Sequence, residues 1–209
     1  MEIIWNPKEI EDKSMGIIEE YLTGHNFTPV ERAVVKRVIH TTGDPAIINN
    51  IQFHPDSTRV GVKAIREGAN IFTDVNMLKA GINAKTLNSF GGDTFCGVAD
   101  QKTIEGAGEW GITRSAAAMR LFGKRLNGSI VAIGNAPTAL FEVLDLIEKG
   151  IAKPALIVGT PVGFVGAMES KELMIEKNNV PYITVRGTRG GSPIAACMVN
   201  ALMYFKETD

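Results

Sequence analysis

The chain has 209 residues, 44% of them hydrophobic and 22% charged, and a formal net charge of −1. That balance describes a globular chain with ample core material and excludes a disordered chain or a strongly basic nucleic-acid binder. No apolar run approaches the ~20 residues that span a bilayer, because the most apolar stretch, ALIVGTPVGFVGAM, is broken by Thr160, Pro161 and glycines.

In chain order, Asn6-Pro7 followed by Glu9 reads as a helix N-cap, a first-turn proline and a capping acid, opening a helix to about Tyr21. The N-terminal MEIIWNPKEIEDK lacks a secretory pattern, and the expectation is a cytoplasmic protein of one domain over residues 1–209. Thr28, Pro29 and Glu31 repeat the capping signal, and Val30, Val34 and Val38 keep helical spacing until Thr41-Thr42-Gly43 ends it. AIINNIQF and NIFTDV then read as strands around an amphipathic helix from Ser57 to Glu67. A polar helix runs from about Asp100 to Gly111, and Thr113 caps RSAAAMRLFGKRL. The last third repeats a β-rich run, a Gly/Pro/Thr loop and a helix three times. This alternation predicts an α/β domain: a mainly parallel sheet with helices on both faces and a ligand site at the carboxyl ends of its strands, in the loops GNAPT, GTPVGF and RGTRGGS.

These loops do not carry a nucleotide signature. Gly187, Gly190 and Gly191 do not form GxGxxG, and no GxxxxGK[ST] occurs. What they offer is free N–H groups and helix N-termini for an anion, with Arg186 and Arg189 as carboxylate donors; the bland alternative is that the glycines only make tight turns. Phe164 and Met168 read as core or as pocket lining, Ser14 as a tolerated helix residue, and Cys96 and Cys197 as buried thiols outside any disulfide or metal pattern. Arg114 opens a helix against the dipole, a placement that favours an anionic partner. His40 is the most informative position. The helix C-terminus and Asp44 favour its imidazolium while Arg37, one turn back, opposes it, leaving a group able to exchange a proton near neutral pH; plain C-capping is the alternative.

Taken together, VKRVIHTTGD, GANIFTDVNMLKAGI, GITRSAAAM, IVAIGNAPTALFEVL, PALIVGTPVGFVGAMESKE and VRGTRGGSPIAACMVNAL resemble the precorrin-8X methylmutase family, the precorrin isomerases, which includes the cobalt-precorrin-8 methylmutases. The resemblance spans nearly the whole chain and departs from the family pattern at His54-Pro55-Asp56. It implies a three-layer flavodoxin-like domain, a homodimer with its site near the subunit interface, and a polycarboxylate tetrapyrrole substrate. It also implies that His40 gives and takes a proton during a methyl shift, and that Ser14, Arg37 and Arg114 contact substrate. No cofactor or protein-bound metal is implied, since cobalt, where present, belongs to the substrate. Neither nucleic acid nor membrane is an expected partner. The rival readings are a flavodoxin-like nucleotide-dependent oxidoreductase and a non-catalytic tetrapyrrole carrier.

Overall fold

The computed structural model describes residues 3–206. Two capped helices open it. In α1 (Pro7–Tyr21) the Asn6 side chain accepts from the N–H groups of Lys8 and Glu9. In α2 (Pro29–Thr42) Thr28 and Glu31 form a full capping box, and Gly43, at φ 64°, closes the helix by donating its N–H to the Ile39 carbonyl. The first half of the expected AIINNIQF strand is instead a 3₁₀ segment, Pro45–Asn50, because Asp44 caps Ala46 N–H at 3.0 Å ahead of it and Pro45 sits at its first position. Only β1 (Ile51–Phe53) is extended.

The chain continues through α3 (Ser57–Arg66) and β2 (Ile71–Thr73). Then come α4 (Asn76–Gly81), α5 (Ala84–Ser89) and β3 (Thr94–Phe95), short elements that the apolar pattern does not announce. The helices α6 (Gln101–Trp110) and α7 (Arg114–Phe122) follow as expected, with Gly111 and Thr113 as their caps. The three βα repeats are β4 (Ile130–Ile133) with α8 (Pro137–Glu148), β5 (Leu156–Gly159) with α9 (Ala167–Lys177), and β6 (Tyr182–Val185) with α10 (Ser192–Tyr204).

The strand order is β1-β6-β5-β4-β2-β3, and every pairing is parallel except β1 against β6. Apart from β1, this is the flavodoxin-type order, with its reversal between β2 and β4. Side chains alternate across the sheet. Ile71, Ile130, Ala132, Leu156, Val158 and Ile183 enter the core under α2, α3, α4 and α10, while Phe72, Val131, Ile133, Ile157 and Tyr182 enter the one under α7, α8 and α9. Both faces are therefore covered, and function is confined to the edges.

The antiparallel strand has a topological consequence. Because Ile51 pairs with Val185 and Arg186 N–H donates to Asn50 C=O, β1 begins at the edge where the parallel strands end. The C-terminus of α2, with His40, is thereby delivered to the carboxyl edge of the sheet.

Close approach at that edge depends on Gly134, just after β4, where an added Cβ would lie 2.6 Å from the Ser192 Cα. Gly134→Ala is expected to lower unfolding free energy by about 1–3 kcal/mol, since backbone cannot rotate away from the clash. Gly16→Ala, with open space inside exposed α1, should raise it by about 0.5–1 kcal/mol. Denaturant titration of both variants tests the opposed signs.

Candidate active site

Three of the residues singled out in the sequence come together where α1 crosses α2. Ser14 Oγ lies 2.9 Å from His40 Nδ1, and Arg37, one turn before His40, donates to Glu11 Oε1 at 2.7 Å. His40 is exposed while its neighbours Val38 and Ile39 are buried, so the helix is anchored on one side and presents the imidazole on the other. A hydroxyl both donates and accepts. Ser14 can hold Nδ1 of neutral imidazole by donating to it, and Nδ1–H of imidazolium by accepting from it. Nε2, which makes no hydrogen bond with any described residue, is then free to exchange a proton.

The arginines of the last third are already paired. Arg186 grips Glu172 with two bonds, Nε at 2.9 Å and a terminal nitrogen at 2.6 Å, and this ion pair holds the Glu172 carboxyl below the usual carboxylate range. Arg189 reaches across to Asp44 at 2.5 Å and so ties the β6–α10 loop to the end of α2. The same loop is bound to the β5–α9 loop through Gly191 N–H to Thr160 C=O at 2.8 Å and Gly163 N–H to Thr188 C=O at 3.1 Å. An added Cβ at Gly190 would collide with the carbonyls of Thr160 and Pro161, so this glycine serves close packing rather than a positive φ. Beneath them the Thr160 hydroxyl is buried with no hydrogen-bond partner among the described residues.

The GNAPT loop departs from the anion-site expectation. Its N–H groups are occupied by the protein's own Asp74, which follows β2: Gly134 N–H reaches Oδ1 at 3.1 Å, and those of Asn135 and Ala136 reach Oδ2 at 2.8 and 2.7 Å. Asp74 is fully buried. Burial pushes its carboxyl up, and the three donors pull it back down. The Asp74 carbonyl also accepts from Ser115 Oγ at 3.2 Å, which docks the N-terminus of α7 and places Arg114 at the far end of the rim. Arg114 is exposed and makes no hydrogen bond or ion pair with a described residue.

Ser14, Arg37 and His40 thus form one constellation, Arg189 joins it through Asp44, and Arg114 stands beyond the reversal point. Arg186 is turned to α9. Phe164 is neither core nor pocket lining: it and Val165 project from the β5–α9 loop at 92% and 89% exposure. Cys96 and Cys197 are half-buried rather than buried. Cys197 lies on α10 near Thr41 and Arg37, and burial pushes its thiol up to about 11, which keeps it from acting as a nucleophile at neutral pH. Sequence reasoning missed Asp74 and Lys171; neither carries a local signal, since the partners of Asp74 lie 60 to 62 residues further along the chain and that of Lys171 lies 18.

The fold and the site define a flavodoxin-type α/β domain with an exposed, serine-held histidine at its strand edge and no GxGxxG or GxxxxGK[ST] sequence. Residues 9–205 match the family model described as precorrin-8X methylmutase. The cobalt-precorrin-8 methylmutase of Priestia megaterium is 42% identical over 97% of this chain and 89% of its own length, and the precorrin-8X methylmutase of Sinorhizobium sp is 40% identical over 92% of each. A solved precorrin-8X methylmutase from Thermus thermophilus superposes with a TM-score of 0.85 at 35% identity, covering 94% of both chains. The chain belongs to the precorrin-8X methylmutase family, isomerases of cobalamin biosynthesis.

Asp74→Ala would strand three N–H groups, those of Gly134 and Ala136 buried, and its expected cost is about 2–4 kcal/mol. Asp74→Asn, which keeps one acceptor oxygen, should lose less. Equilibrium unfolding of the two variants distinguishes this from a dispensable carboxylate, for which both would match the parent.

Proposed function

We propose that this chain moves a methyl group between adjacent ring carbons of a precorrin-8 macrocycle, with His40 giving and taking the proton. The observation that carries this reading is the Ser14–His40 pair at 2.9 Å, which holds one ring nitrogen and leaves the other free at the strand edge. An isomerisation consumes no net proton and no electrons. One carbon–methyl bond breaks and another forms, and a single acid/base group that returns to its starting state suffices. No redox or nucleotide cofactor is called for, in line with the missing phosphate loops. The rest of the work is orientation, that is, fixing the ring so that the migrating group and the imidazole meet in one geometry.

The substrate's carboxylates suit the cations of the rim. Arg37 and Arg189 are half-exposed, each neutralised by a surface carboxylate. Exposed ion pairs contribute little, so an arriving carboxylate can take the acidic partner's place at small cost. Arg114 would meet a further carboxylate beyond the reversal point. Three inter-strand spacings separate β6 from β2, roughly 14 Å, a span suited to a tetrapyrrole and its acidic arms. Relatives of both names align at similar identity, and turnover of metal-free and cobalt-containing substrate side by side identifies the physiological form.

A second copy would complete the site. On α1, Ile10, Ile17 and Tyr21 are about half exposed, on the face that also carries Ser14, and Trp5 just before the helix is 82% exposed. An apolar strip flanking the residue that holds His40 suits a two-fold partner better than water.

His40→Ala is expected to lose turnover by roughly 10²-fold or more while still binding the tetrapyrrole; near-normal turnover rejects the assignment. Arg37→Ala should weaken product affinity by about 10- to 100-fold, and Ser14→Ala by less. Light scattering should report about twice the 22.5 kDa chain mass, whereas a fully active monomer would rule out a shared site.

A further inference from the structure

Lys171 is the one lysine in the core. It lies on α9, is 0% exposed, and donates from Nζ to the carbonyl of Arg189 at 2.8 Å. A buried ammonium is costly to keep, and an apolar side chain of the same length would fill the space without that cost. Its one protein acceptor is a backbone carbonyl in the loop that carries Arg189 to Asp44. The ionisable groups around it are Glu172 on its own helix, which is bound to Arg186, and Arg189 on the loop. Glu172 is thus committed elsewhere and is not a direct partner. The buried charge is spent on fixing one peptide group.

That peptide group is strategically placed. From it the Arg189 side chain reaches the 2.5 Å contact with Asp44, four residues after His40, while the next two residues pack on and bond to the end of β5. We propose that Lys171 is a positioning residue for the methylmutase reaction: by holding the Arg189 carbonyl it aims the Arg189 guanidinium at the His40 end of the rim, where a substrate carboxylate binds. This rests on the reading of Arg189 as a substrate-binding residue. A neutral apolar side chain at 171 would leave the loop tethered by its glycines yet free to rotate the peptide from which Arg189 projects.

The test is a double-mutant cycle on product affinity, read from the absorbance of the bound tetrapyrrole, with Lys171→Met, Arg189→Met and the double variant. Each single variant is expected to weaken binding about tenfold, with the loss falling on KM more than on kcat, and the double variant to bind no more weakly than Arg189→Met alone. Unchanged affinity in Lys171→Met, or a full additional loss in the double variant, overturns the proposal. Lys171→Gln, which keeps a donor, should recover part of the affinity, and it carries the test if the methionine variant folds poorly. His40→Ala run alongside separates the two levels: normal turnover there removes the histidine assignment, and the affinity cycle still judges Lys171. Burial also pushes the Lys171 ammonium down to about 8 from 10.5. Between those values the unfolded chain holds the proton that the folded chain has released, so the parent should gain stability relative to Lys171→Met as pH rises from about 8 toward 10.5. A difference that stays constant across that range overturns the buried cation on which the proposal stands.

Discussion

The carboxylate of Asp74 holding three consecutive N–H groups after β4 is the interaction on which the functional edge depends. It sits where the strand order reverses, the crevice in which doubly wound domains usually receive a ligand's phosphate. Here the donors are satisfied from within. The loop is fixed without a ligand, and its fixed position lets Gly134 lie against Ser192 at the head of α10. From there the contacts run outward: Gly191 to Thr160, Gly163 to Thr188, Lys171 to the Arg189 carbonyl, and Arg189 to Asp44. With the N–H groups of Gly134, Asn135 and Ala136 taken in this way, the loop after β4 cannot close around an anion as a phosphate loop does, and a ligand there is met by side chains.

Those side chains come mostly from outside the parallel sheet. A purely parallel domain would have only its βα loops to offer, but the short antiparallel β1 brings the end of α2 to the same edge. His40 therefore sits on a rigid, doubly capped helix instead of a loop, and Ser14 on a second helix packed against it fixes the ring. Precision of this kind matters for proton transfer, whose efficiency depends on a distance of a few tenths of an ångström.

The parts of this arrangement that are local in sequence were legible in it. Asn6-Pro7 and Thr28-Pro29-Glu31 announce their helices because capping is satisfied within four residues, and the βα alternation after residue 129 needs only period and turn chemistry. The elements between Asn76 and Phe95 were not legible, since helices of six residues and a two-residue strand carry too few apolar positions to set a period. Asp74 was invisible for a different reason: its three partners lie 60 to 62 residues away, and nothing beside it hints at them. Arg186 was read as a free carboxylate donor because Glu172 belongs to another βα unit. Ser14 and His40, 26 residues apart, came together in the sequence reading only through family resemblance.

Substrate and product of a methyl shift carry the same carboxylates on nearly the same frame. Arginines that grip those groups stabilise both, and the transition state between them, to a similar degree; such uniform binding raises affinity without lowering the barrier. On the proposed function the rim cations would therefore set where the macrocycle lies and how long it stays, but not how fast the methyl moves. Their pairing with Glu11 and Asp44 fits that division, because each contact to the ligand replaces an existing ion pair and so gains less than a contact to an unpaired arginine would. Product that matched the rim as well as substrate does would otherwise leave slowly. Acceleration must come from a group whose interaction changes along the reaction, the part that the proposed function gives to the imidazole of His40, with one nitrogen held by Ser14 and the other open.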